Sequence, residues 1–183
     1  SARLDEDLAA IRTGEGLSDA ERACAEGLRL WLKGDAAGAR AKLSSTLDEA
    51  VEALAEIEMD AARYDAARKS WSEALARDPG YAGNWLGRAD TIWRRLLDPH
   101  GGNRNERLAL VKAGEQDAGE ALKRAPALVH AWKVRGVLRL NRSQFEEKGS
   151  MIATLSDALH DLDEAVRLAQ GDDEALLWRA SVE

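Results

Sequence analysis

The chain has 183 residues and a mass of 19.9 kDa, enough for one ordinary domain or a short run of repeats around a real core. Its 34 Ala and 25 Leu make up about a third of the chain, whereas Ile, Val and the aromatics together number 20, so strong helix formers dominate, too little is left to fill the faces of a sizeable sheet, and an all-α fold is expected. Charged residues at 32% and apolar residues at 45% exclude a membrane span and a disordered chain, and a net charge of −7 speaks against a nucleic-acid or anionic-membrane partner.

An opening amphipathic helix, roughly Leu4 to Ile11, is followed by the break Thr13-Gly14-Glu15-Gly16. Ser18 with Glu21, Thr46 with Glu49 and Asn103 with Glu106 each pair a capping residue with an acid three positions on, the signature of a helix start. Gly27, the turn Gly34-Asp35, and Ala39 with Leu43 suggest a first, short helix pair. Further on, Ala67, Trp71, Ala74 and Pro79 form a spaced set. Small residues let two helices approach, the aromatic fills the gap above them, and Pro cannot continue the helix. Trp85 stands six residues after Pro79 and Trp132 six after Pro126, with Ala89 and Gly136 each four further along. Asp98-Pro99-His100-Gly101-Gly102 must be a corner, and a weaker corner lies around Arg142 to Ser150.

Residues 64–79 resemble the second helix of a tetratricopeptide repeat, and Trp85 and Trp132 fall in that family's signature tryptophan slot. Carried along the chain, the resemblance gives units at about 20–47, 48–81, 82–128 and 129–172, and a capping or truncated helix at 173–183. The second unit has the family period of 34 residues. The third and fourth, at 47 and 44, are each expected to carry 10 to 13 extra residues between their two helices. The fourth closes on Ala158, Leu162 and Ala165, with Gln170 where Pro would stand. The resemblance implies a single domain, a right-handed superhelical solenoid of antiparallel helix hairpins, two of them elongated. The chain opens Ser1-Ala2 without Met and is expected to be a piece of a longer protein.

No set of residues for chemistry emerges. There is no phosphate-cradling loop, HExxH or GxSxG, so no catalytic residue, cofactor or metal is expected. His100, His130 and His160 lie thirty residues apart and read as unrelated. His100-Gly101-Gly102 reads as a plain turn, and the sequon Asn141-Arg142-Ser143 carries no weight without a secretory context. The single Cys24 forbids an internal disulfide. Compartment stays open, with the cytoplasm favoured.

The resemblance therefore implies a non-catalytic protein-interaction scaffold that holds a partner segment in a concave groove. The alternative is a regulatory or self-association domain of a larger protein, as in the bacterial signalling and assembly proteins that carry such arrays. Trp71, Trp85 and Trp132 fall in packing slots; Trp31 and Trp93 suit either core or groove. Trp178, on the terminal helix, would be covered by a neighbour lost from the chain. The family's Lys/Asn carboxylate clamp is missing. Its groove positions read Glu21, Cys24 and Leu28, then Glu49, Glu52 and Glu56, then Leu86, Asp90, Trp93 and Arg94, then His130, Lys133, Val137 and Asn141. Residues 1–61 hold 7 basic and 14 acidic side chains, while residues 88–142 hold 12 and 6. The expected partner is a mixed-charge or amphipathic segment with its acidic part over Arg94 and Lys133, or a second copy of the chain.

Overall fold

In a computed structural model the chain is described over residues 18–43, 48–97, 102–169 and 173–182, and these residues form nine helices and no strand. The expected opening helix, the Thr46 cap and the corner at 98–101 lie outside the described residues. The chain divides into two compact units, before and after the Arg77–Asp78 bond.

In the first unit, α1 (Asp19–Leu32) and α2 (Ala36–Lys42) form one hairpin, and α3 (Asp48–Asp60) and α4 (Tyr64–Arg77) form another. Ser18 starts α1 through the expected reciprocal cap: its hydroxyl accepts the Glu21 N–H, and Glu21 Oε2 accepts the Ser18 N–H at 2.7 Å. Asp35 starts α2 by accepting the Gly38 N–H at 2.8 Å. Gly34, at φ +84°, supplies the left-handed residue that the turn between them needs. Cys24, Ala39, Leu43, Ala50, Ala53 and Ile57 close one core, while Val51, Ala55 and Met59 close a second with Ala67, Trp71 and Ala74. Helix α3 thus buries both its faces, which its run of small residues permits. The half-exposed Arg40 and Arg63 grip the buried Glu58 carboxylate, with Arg40 Nε at 2.6 Å.

The second unit holds α5 (Ala82–Leu96), α6 (Arg104–Arg124), α7 (Val129–Ser143), α8 (Lys148–Ala169) and α9 (Asp173–Ala180). Its main core gathers Ala89, Ile92 and Trp93 with Val111 and Ala118, Val134, Val137 and Leu138, and Leu162. Gly136 lets α7 approach α8 closely: a Cβ there would stand 2.8 Å from Leu162 Cγ and 3.2 Å from the Ala158 carbonyl oxygen. The same relation recurs in the first unit, where a Cβ on Gly27 would meet Leu43 and the Ala39 carbonyl.

The elongation of the third and fourth hairpins sits in the second helices. Helix α6 has 21 residues and α8 has 22, against 14 in α4, so each gains about two turns. In α4 the helix begins three residues before its small-slot Ala67; in α6 and α8 it begins ten before Gly114 and Ala158. Within the added turns Leu110 packs partly buried against the main core and Thr154 is buried, which gives the extra residues a reason to continue the helix.

Candidate functional site

The frame is a polar device used twice in the second unit. Trp85 Nε1 donates to the Pro79 carbonyl at 2.9 Å and Trp132 Nε1 to the Pro126 carbonyl at 2.7 Å. Three residues after each tryptophan stands an arginine whose guanidinium lies against that indole. Arg88 grips the Asp117 carboxylate with Nε and Nη2, both at 2.7 Å, and Arg135 grips Asp161 at 2.8 and 2.7 Å. Arg139 adds a third contact to Asp161 at 2.7 Å, and that carboxylate is fully buried. Planar two-point pairs of this kind fix direction as well as distance. They tie α5 to α6 and α7 to α8, so both tryptophans are half-buried roofs over a turn, whereas Trp71 is core. Sequence reading missed these four residues. Their signal was an equal offset: Arg three after Trp, and Asp three after the small residue.

With α6 and α8 so held, α5 and α7 lie side by side and present most of the expected partner-binding residues. Asp90, itself buried, accepts from Arg94 Nε at 3.0 Å and meets His130 Nε2 at 3.3 Å, so three of them form one cluster. Arg94 and His130 keep 46% and 40% of their side-chain surface exposed. Trp93 is only 8% exposed, and Val137 lies in the core beneath it. Asn141 Nδ2 turns back to the Val137 carbonyl at 2.9 Å. Trp31 belongs to the first unit, where it packs partly buried against that unit's first core with Leu28. Cys24 is core, while Glu52 and Glu56 are half-buried.

The occupant of the face is the chain's own last helix. The Trp178 ring sets its edge on Trp93 at 6.2 Å and 77°, while His130 tilts against Trp93 at 6.3 Å. Glu174 Oε2 binds Lys133 Nζ at 2.6 Å, and Arg179 Nε binds Asp163 of α8 at 2.6 Å. Trp178 is therefore partly buried against the main core. Lys133 is left 9% exposed by these contacts. Neither ion pair is dry: Glu174 is 50% exposed, and pairs open to water are worth about 0–1 kcal/mol each.

Between α6, α7 and α8 lies a second polar cluster. Arg142 bridges Glu115 at 2.5 Å and Glu146 at 3.0 Å and donates to the Thr154 hydroxyl at 3.0 Å, which in turn donates to Glu146 at 2.6 Å. Burial pushes the Glu115 carboxyl up to about 7, against the opposing pull of Arg142 and Arg139. Among the described residues no group of His, Cys, Asp and Glu has the arrangement of a metal site.

No protein-family model matches the sequence, and no curated protein does. Solved structures do match by shape. MamA superposes with a TM-score of 0.70 over 90% of this chain and 80% of its own, at 14% identity. The Arabidopsis OM64 TPR domain gives 0.59 over 74% and 93%, at 16% identity. The second TPR domain of human RPAP3, solved in complex with the HSP70 peptide SGPTIEEVD, gives 0.55 over 72% and 91%, at 15% identity. At these identities the likeness is one of fold, and it agrees with the repeated Trp, small-residue and Pro register: the chain has the all-α helical-hairpin repeat fold of tetratricopeptide domains.

Proposed function

We propose that the chain is a non-catalytic protein-interaction scaffold that takes a partner segment on the α5/α7 face, through Arg94, His130 and Lys133 around the Trp93 ring. The observation that carries this reading is the seat of α9: the face already holds a helical segment by an aromatic contact and a carboxylate on Lys133. Interfaces concentrate their energy in such aromatic anchors ringed by polar contacts. The peptide bound by the human RPAP3 domain ends in Glu-Glu-Val-Asp, and an acidic segment is also what Lys133 and Arg94 would favour here. Nothing in the reading calls for turnover: Asp90, Arg94 and His130 are engaged with one another, and Lys133 with Glu174 of α9.

Affinity capture tests it. The wild-type chain should retain a partner from lysate that Arg94→Glu and His130→Glu variants of unchanged melting midpoint lose. A partner held equally by all three would put the interface elsewhere.

A further inference from the structure

Helix α9 has eight residues, a length at which a helix in water is marginal without packing. Glu174 and Trp178 stand four apart and so share one stripe. That stripe makes the contacts with Lys133 and Trp93, and Arg179, the next residue, reaches Asp163. Leu176 and Leu177 are left 44% and 71% exposed. The contacts of the helix itself are an indole edge and ion pairs open to water, while Val182, just past its end, packs partly buried on the main core. The seat is also imperfect, because Trp93 Nε1 is buried with no hydrogen-bond acceptor, an unmade bond that α9 does not supply.

Resting on the reading above, we infer that α9 is a displaceable occupant of the α5/α7 face, and that the partner competing with it is a helical protein segment of the pattern Glu-x-x-x-Trp-Arg. The chemistry follows from what α9 uncovers on leaving. Lys133, nearly buried beneath α9, is uncovered as a lone cation, so a segment that covers it again must bring an acid to the position of Glu174. Trp93 regains an open ring face one helical turn away, which a large aromatic covers best. Asp163 then asks for a base beside that aromatic. Occupancy by α9 lowers apparent affinity for any such segment by the fraction of molecules in which the face is vacant, so the helix sets a threshold for binding.

The test uses the full chain and a labelled synthetic peptide with the sequence of residues 172–183. The peptide should bind the Trp178→Ala chain at least about tenfold more tightly than the wild-type chain, because the mutation vacates the seat. Glu174→Lys, which sets two cations against each other, should open the seat in the same way. Adding Lys133→Ala to the Trp178→Ala chain should weaken the peptide by about tenfold or more. Equal affinity for wild-type and opened chains, still sensitive to Lys133→Ala, would overturn displacement while leaving the interaction face intact. Absence of binding to opened chains that keep the wild-type melting midpoint would overturn the recognition pattern, whereas the capture experiment independently decides whether the face binds a partner at all. If both opening variants melt far below the wild type, α9 is a permanent part of the core and the inference fails.

Discussion

Ala62 is held at φ +56° at the end of α3, where the Arg63 N–H reaches back to the Glu58 carbonyl at 2.7 Å and the Ala62 N–H to Met59 at 2.9 Å. This is the helix-ending turn that glycine usually occupies, and a Cβ there costs about 1–2 kcal/mol. Ala62→Gly should therefore raise stability by about 0.5–1 kcal/mol after the added freedom of the unfolded chain is counted, read as a higher urea midpoint. Glu115 gives a pH signature. Its carboxyl is raised to about 7 by burial, so its contribution to stability is fully present below the ordinary carboxylate range and lost as pH rises through about 7. Glu115→Gln should match the wild type below about pH 4, be the more stable protein at pH 8, and flatten the profile between. A profile unchanged by the substitution would assign that pH dependence to other groups.

Hairpins, rather than single helices, are the units that the pattern specifies. The spacing of Ala67, Trp71, Ala74 and Pro79 was readable because each residue type answers one steric demand of two helices in contact, and those residues are buried or, for Pro79, just past the helix end. The elongation of α6 and α8 was readable as length but not as helix, because a template of 34 residues says nothing about where inserted residues go. The Arg88–Asp117 and Arg135–Asp161 pairs were illegible for another reason: partners 29 and 26 residues apart become neighbours only once the hairpin is closed. They matter energetically. Removing one member of a buried ion pair leaves the other uncompensated and costs about 3–5 kcal/mol. Asp161→Ala, which strands Arg135 and Arg139 together, should fall in that range, with hydrogen exchange accelerating first in α7 and α8. The exposed Glu164–Arg167 pair, also on α8, should be replaceable with little effect.

Over the whole molecule, the charge map of the sequence and that of the structure differ. The excess of basic residues between 88 and 142 suggested a groove that meets the acidic part of a partner over Arg94 and Lys133. Arg88, Arg135, Arg139 and Arg142 instead neutralise carboxylates within the second unit, and of the two cations expected to meet a partner, Arg94 lies on Asp90 and Lys133 on Glu174. Side-chain pairing of this sort is invisible to a count. The cores divide more simply: Trp71 and Ala67 close one in the first unit, while Ile92, Val134 and Leu162 close another in the second. In repeat arrays each element contacts mainly its neighbours, and stability is close to a sum of local terms. Trp71→Ala, which empties a site only 4% exposed, should cost about 3–5 kcal/mol. Because the loss is local, amide protection should collapse in α3 and α4 while α7 and α8 keep theirs, and denaturant unfolding should broaden or split into two steps. Uniform loss of protection across all helices, with one sharp transition, would mean that the two cores melt as a single cooperative block.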